Sequence, residues 1–319
     1  MQQRYTAILA LAAFIWGVGF VAQRAAMDYI TPFTFNAIRF GVGGSLLAIV
    51  AIVLERKTTN GFQNSPNSPN SPNSPKNSLE KIATYKYSLK AGFIVGFVLF
   101  VSAALQQWGI AITGSVGVSG FITGLYIVLV PILGILIRQK TTKVVWLGAL
   151  IATAGLYFMN LQDGVLVVDI GTILLLACAF GWAIHILVID KHAANVKPVT
   201  LAAGQCLVCG IFSLFAALIF EDMLNLQFAV ILQAWLPIGF SIFVSVLLAY
   251  TLQVIGQRHV APARSAVIFS LESVFAAIGE VVILGVFLSI YGYIGGALIF
   301  IGIIVSQLNI FKPPKILPS

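Results

Sequence analysis

Charge is what this chain has least of. Only 9% of its 319 residues are Asp, Glu, Lys or Arg, whereas 59% are hydrophobic and the mean hydropathy is +1.00. A water-soluble domain needs a polar surface that this balance cannot supply, so the chain is a polytopic membrane protein. Cysteine is scarce as well. Cys178, Cys206 and Cys209 fall inside apolar runs, which points to small packing residues rather than a disulfide framework or a zinc site. No GxxxxGK[ST] occurs, so ATP does not drive the protein directly, and no HExxH or comparable spacing supports a metal hydrolase. No metal and no cofactor is expected. Acidic residues number 10 against 18 basic ones, a formal charge of +8. That surplus does not signal nucleic acid, because the lysines and arginines lie between apolar runs, where they set orientation in a bilayer.

What is present is a series of ten apolar windows: 6–23, 34–54, 89–110, 115–137, 144–161, 170–190, 199–220, 232–254, 264–288 and 290–309. Only Ala111–Gly114 separate the third from the fourth, and a turn near Ser289 separates the last two, so those neighbours should be antiparallel hairpins. With the N-terminus in the cytoplasm, Arg4, the cluster from Arg56 to Lys90, Arg138, Lys140, Lys143, Lys191, Lys197, Arg258, Arg264, Lys312 and Lys315 fall on the inner side. The outer loops hold Asp28, Asp163, Asp169, Glu221 and Asp222, with Arg24 the one basic exception. The expected topology is ten spans in a cytoplasmic membrane with both ends inside. The connection 55–88 contains NSPNSPNSPNSP, which has almost nothing to bury and is expected to be a disordered cytoplasmic linker. Residues 312–319 are expected to form a cytoplasmic tail.

The chain repeats itself. A shift of 166 places Leu9 on Leu175, Trp16 on Trp182, Pro32 on Pro198, Thr34 on Thr200 and Gly44 on Gly210. Beyond the linker a shift of 146 pairs Gln107 with Gln253, Ser119 with Ser265, Leu125 with Leu271 and Ile132 with Ile278. In the last pair of spans, 147 brings Gly148 onto Gly295 and Gly155 onto Gly302. Five spans per copy is an odd number, so the second copy, 163–311, should enter the membrane upside down relative to the first, 1–162. The fold class expected is therefore an all-α membrane protein of ten helices in two inverted five-helix repeats.

The ninth window is the one the rest should be organised around. RSAVIFSLESVFAAIGEVVILGVFL, residues 264–288, is long enough to cross a bilayer yet carries Glu272 and Glu280. Intramembrane acids face a bundle interior, a partner or a wet cavity, because a lipid-facing carboxylate costs several kcal/mol. At about 1.5 Å per residue, Glu272 lies roughly 12 Å from the cytoplasmic end of its helix and His185 roughly 8 Å in from the same side. Glu280 and Arg39 are similarly matched below the outer end. Two pairings, Glu272 with His185 and Glu280 with Arg39, are thus compatible in depth, as parts of a ligand site or as internal links that hold the bundle together. In the other copy His185, Glu272, Glu280 and Arg39 correspond to Gly19, Tyr126, Gly134 and Gln205 respectively, so the symmetry is broken where the ionisable groups are.

FIWGVGFVAQRAA (14–26), the pair Arg39-Phe40, FGWAIHILVIDK (180–191) and SLESVFAAIGEVVILG (270–285) resemble the paired signatures of EamA-type proteins of the drug/metabolite transporter superfamily. The resemblance covers nearly the whole chain apart from the linker and tail. One departure is Leu271-Glu272-Ser273, where the family usually has Leu-Glu-Pro; without that proline the ninth helix is expected to be less kinked, whereas the fourth carries Pro131. The resemblance implies that the first four helices of each half surround a central cavity and that the fifth and tenth pack outside it as supports. On that basis the cavity residues expected are Trp16, Arg39, Gln107, Tyr126, Trp182, His185, Tyr250, Gln253 and Glu272, with Glu272 and Glu280 as coupling carboxylates. The function expected is a secondary transporter, an exporter of small polar or amphipathic metabolites such as amino acids, working by alternating access with the proton as candidate coupling ion. A monomer is expected in preference to an obligate oligomer. The competing classes are a membrane receptor without transport and an integral membrane enzyme.

Overall fold

A computed structural model describes residues 2–63, 78–159, 169–285 and 289–307, and all the regular structure in them is helical. Helix is what a bilayer demands, since an apolar medium leaves backbone N–H and C=O groups no partner outside the segment. Helices α1 (Gln2–Ala26), α2 (Pro32–Gln63) and α3 (Ser78–Thr113) open the chain. Then come the short pair α4 (Val116–Gly124) and α5 (Tyr126–Leu136), followed by α6 (Lys143–Met159), α7 (Ile170–Ala193) and α8 (Pro198–Phe220). The eighth apolar window is composite. A short α9 (Phe228–Gln233) precedes α10 (Trp235–Phe240), a π-helical stretch over Ser241–Ala249 and α11 (Tyr250–Gln257). The chain continues through α12 (Pro262–Phe269), α13 (Leu271–Leu284) and α14 (Ile290–Gln307).

Among the described residues eight helical stretches are long and apolar enough to cross a membrane, from Gln3–Ala26 to Pro262–Ile283, while Lys143–Phe158 and Ile290–Ser306 are apolar but shorter. Large apolar side chains point outward along them, Phe14, Phe97, Phe215 and Ile304 among many, as a lipid-facing surface requires. Local signals mark the ends. Asp169 caps α7 by accepting from the backbone N–H and hydroxyl of Thr172, Ser115 caps α4, and prolines begin α8 and α12. Gly114 (φ +63°) turns the chain between α3 and α4, and Gly285 (φ +71°) closes α13 in the left-handed conformation.

One expectation needs correcting, and the ninth apolar window carries a break. The connection 55–88 is not irregular throughout, because α2 runs on to Gln63 and α3 starts at Ser78; the polar NSP repeat itself, like Asp163 and the tail, lies outside the described residues. The ninth window is also interrupted despite having no proline at 273. It breaks at Ser270 between α12 and α13, just as the fourth window breaks at Leu125 between α4 and α5. In place of a proline, the Ser270 hydroxyl donates back to the Val267 carbonyl and that of Ser273 donates across to the Gly120 carbonyl. Such hydroxyl bonding competes with the regular helical ladder.

Packing between the long helices runs through glycines. A Cβ on Gly44 would lie 2.7 Å from the Leu207 nitrogen and one on Gly210 would lie 2.5 Å from the Gly41 nitrogen, so α2 and α8 touch backbone to backbone. The α6–α14 contact is alike: Gly148 meets Gly302, and Gly155 meets Gly295, with 2.6 Å left to a carbonyl oxygen in each case. Lipid supplies no hydrophobic drive between helices, so close backbone approach and dispersion hold these pairs. The ends of α2 and α8 are tied crosswise. Glu221, at the end of α8, accepts from the backbone N–H groups of Phe33 and Thr34 and from the hydroxyls of Thr31 and Thr34 at the start of α2. Glu55, on α2, lies 3.7 Å from Lys197 and accepts from Thr200 at 3.4 Å at the start of α8.

Candidate functional site

The two helix breaks meet at the centre. Tyr126 begins α5 and Glu272 lies one residue into α13; the tyrosine hydroxyl donates to the Glu272 carboxylate at 2.8 Å, both groups being buried. Beside this bond opens a cavity of about 30 Å³ lined by Trp16, Phe20, Gln23, Arg39, Gln106, Tyr126, Trp182, Ile186, Ser245, Tyr250, Gln253, Phe269 and Glu272. Since about 10–15 Å³ holds one water, this space takes about two. The described conformation is therefore nearly closed around its polar groups.

Aromatic rings make the walls. Trp16 stands 6.4 Å from Trp182, 5.1 Å from Tyr250 and 5.4 Å from Phe269, centroid to centroid. Arg39 supplies the cationic wall. Its Nε donates to the side-chain oxygen of Asn36 at 2.9 Å, Asn36 in turn donates to the Ala103 carbonyl, and the guanidinium lies 4.6 Å from the Phe40 ring centroid and 4.9 Å from that of Phe35. Cation–π contact and hydrogen bonding hold the side chain without neutralising it. Among the described residues no carboxylate lies within ion-pair distance of Arg39. Several polar atoms around the cavity have no protein partner: Trp16 Nε1, a donor, and the acceptors Gln23 Oε1 and Gln253 Oε1. A native interior leaves few such groups unmet unless a ligand or water takes them.

The two ionisable pairings compatible in depth are not made. His185 Nε2 pairs instead with Gln205 at 2.9 Å, linking α7 to α8, and its ring packs edge-on to Trp182. Glu280, half-buried, turns to the first-turn amides of α4 at Val116 and Gly117, where the helix end favours a carboxylate. Depth alone paired these residues; the rotation of each helix about its axis, which depth does not contain, separated them. Of the nine expected cavity residues, Trp16, Arg39, Tyr126, Trp182, Tyr250, Gln253 and Glu272 line the space. His185 and Gln107 are buried away from its wall, Gln107 donating to the Gln23 carbonyl. Phe20, Gln23, Gln106, Ile186, Ser245 and Phe269 also line the space and were not among the nine expected. Gln23 lies one turn beyond Phe20 on the face of α1 that carries Trp16, a helical periodicity that does mark them. Ser245 has no such signal, since it reaches the cavity from within the π-helical stretch.

A bundle of apolar membrane-length helices around a small polar and aromatic cavity defines a multi-pass membrane protein of the transporter kind. The sequence profile of the EamA-like transporter family matches residues 4–161 and again residues 169–308, and the chain belongs to that family, within the drug/metabolite transporter superfamily. It is a multi-pass cell-membrane protein. An uncharacterised transporter of Archaeoglobus fulgidus is 29% identical over 303 residues, covering 95% of this chain and 85% of the relative. The threonine/homoserine exporter RhtA of Escherichia coli K12 is 31% identical over 152 residues, 46% of this chain and 48% of the exporter. RhtA of Salmonella typhimurium LT2 is 28% identical over 183 residues, 56% of this chain and 59% of its own length. This match spans little more than half of either protein. A crystal structure 17% identical in sequence superposes with a TM-score of 0.71 over 97% of this chain and 98% of the other, which establishes the shared fold.

Proposed function

We propose that this protein is a secondary transporter that exports small zwitterionic solutes of the amino-acid type, threonine and homoserine being the first to try, by alternating access between two inverted five-helix halves, 1–162 and 163–311. One observation carries the proposal. The Tyr126–Glu272 bond joins residues 146 positions apart, the same offset that superposes the two sequence copies, and it sits where both broken helices meet at a polar cavity. Trp16 and Trp182, also equivalent by the repeat, face each other across the same space. A two-fold axis in the membrane plane would pass between these pairs, and a site on such an axis is reached equally from either side when the halves rock. The positive-inside distribution of Lys and Arg supports a cytoplasmic position for both termini, and the shorter apolar helices α6 and α14 would complete ten spans.

The cavity's chemistry supports the substrate class. Arg39 offers a guanidinium free to take a carboxylate, while Glu272, Gln23 and Gln253 offer acceptors for an ammonium group, and the aromatic walls hold a short side chain. The space must enlarge before such a solute enters. Counterflow in proteoliposomes tests this. Purified protein loaded inside with unlabelled threonine or homoserine should accumulate the labelled solute from outside, and Arg39→Gln should weaken it at least about tenfold, equivalent to about 1.4 kcal/mol. Failure of a panel of amino acids to exchange, with the protein shown to be folded, would reject the substrate class.

A further inference from the structure

A second cavity lies away from the central one, at a helix-end face of the bundle. It measures about 110 Å³ and is lined by Gln139, Lys140, Thr141, Thr142, Val145, Ala261, Pro262, Ala263 and Arg264. It therefore joins the α5–α6 connection to the start of α12. We propose that it is a binding pocket for a phosphate group, supplied either by an anionic phospholipid headgroup or by a soluble phosphorylated compound.

Four observations converge there. The lining contains two cations, Lys140 and Arg264, and no carboxylate. The Arg264 side chain is partly exposed, and its Nε–H, itself out of solvent, meets no protein acceptor and is available to a ligand in the pocket. Helix α12 begins against the pocket with Pro262 at its first position and Ala261 before it, and no side chain caps its first turn. Helix α6 begins there too; its leading Thr142 lines the pocket and the hydroxyl takes the Val145 N–H at a long 3.4 Å. Two helix N-termini, each carrying partial positive charge, thus open on one space with two full positive charges. A tetrahedral oxyanion is the ligand that uses all of these, because it accepts from an arginine fork, an ammonium, hydroxyls and backbone amides at once.

The loop between α5 and α6 is shaped for the purpose. Arg138 holds the left-handed conformation at φ +61°, the only residue other than glycine to do so among those described, and this turns the chain so that the run from 139 to 142 faces α12. Asp190 of α7, an acid that reaches the same connection, is engaged by the Gln139 amide at 3.1 Å and does not line the pocket. Both α6 and α12 start at the ends of apolar stretches, so the pocket lies at the boundary of the membrane, within reach of a headgroup or of a solute in water.

Thermal unfolding of the full chain in detergent, followed as dioctanoyl phosphatidylglycerol, dioctanoyl phosphatidylcholine or inorganic phosphate is added, tests the assignment. A ligand that binds only the folded state raises Tm in a concentration-dependent way. The expected result is a saturating rise with phosphatidylglycerol, with inorganic phosphate, or with both, and none with phosphatidylcholine; the first alone identifies a lipid site and the second alone a site for soluble phosphate. In Lys140→Gln/Arg264→Gln the half-saturating concentration should rise at least about tenfold. If the double variant does not fold, Lys140→Gln alone, at an exposed side chain, should still weaken binding several-fold. No stabilisation by either anion, an equal effect of phosphatidylcholine, or unchanged binding in the variants would overturn the proposal.

Discussion

Tyr126 and Glu272 hold each other inside the bundle, both buried, and the consequence of separating them is correspondingly specific. Removing one partner of a buried hydrogen bond leaves the other unsatisfied, at about 1–3 kcal/mol. Tyr126→Phe should therefore lower Tm modestly and change the pH dependence of transport, because the Glu272 carboxylate loses the donor that holds it; an unaltered pH profile would make the bond merely structural. Asp169 makes a simpler case outside the membrane. Its carboxylate is held below the usual aspartate range by the Thr172 backbone N–H and hydroxyl. A depressed folded pKa stabilises the protein above the unfolded value of about 3.9 and loses that contribution as pH falls through the folded value. Asp169→Asn, which keeps the cap and removes the charge, should flatten that acid-side loss in a Tm-versus-pH series; a slope unchanged from wild type would show that Asp169 is not its source. At this scale the sequence identified the special residues better than their partners. Glu272 stood out because a carboxylate in an apolar run must face inward, but its partner Tyr126 is a neutral side chain that any bundle accommodates, and only the sequence repeat marks the two positions as equivalent.

Among the elements, the helix pairs that meet through glycine are the most constrained. Replacing Gly302 by Leu would put a side chain where even a Cβ has 2.6 Å to the Gly148 carbonyl, so α6 and α14 must part. Overpacking of this kind costs about 1–3 kcal/mol or more, and a fall in Tm with loss of monodispersity is expected; wild-type behaviour would mean that the two helices do not rely on this contact. Glu221→Ala removes the side chain that caps α2 and should destabilise by about 0.5–2 kcal/mol, measured by denaturation, with Glu221→Gln intermediate. Equal stability of Glu221→Ala and wild type would contradict the capping role. Element positions were legible because apolar length is a strong signal, and the Gly148/Gly155 and Gly295/Gly302 pairs were legible as packing surfaces. The break at Ser270 was not. A missing proline argued for a straighter helix, whereas serine hydroxyls and a tertiary contact to Gly120 accompany an interruption that no local rule anticipates. The π-helical stretch before Tyr250 escaped for the same reason, since it depends on neighbours rather than on composition.

For the molecule as a whole, the crosswise ties at the ends of α2 and α8 fit the proposed inversion. Glu221 and Glu55 differ by 166, the offset of the first part of the repeat, and each reaches the start of the opposite helix, one at either end of the pair. Transport by alternating access would require these ties to loosen in turn while the glycine crossing between them holds. The central claim is that the cavity at Tyr126 and Glu272 is where substrate and coupling ion are handled. The most direct measurement is labelled threonine or homoserine movement in proteoliposomes, as exchange without a gradient and as accumulation under an imposed pH gradient, for wild type and Glu272→Gln. Gln keeps the shape and removes the charge, so gradient-driven accumulation should be lost and its pH dependence flattened, whether or not exchange persists. A Glu272→Gln protein that transports at the wild-type rate with unchanged pH dependence would contradict the account.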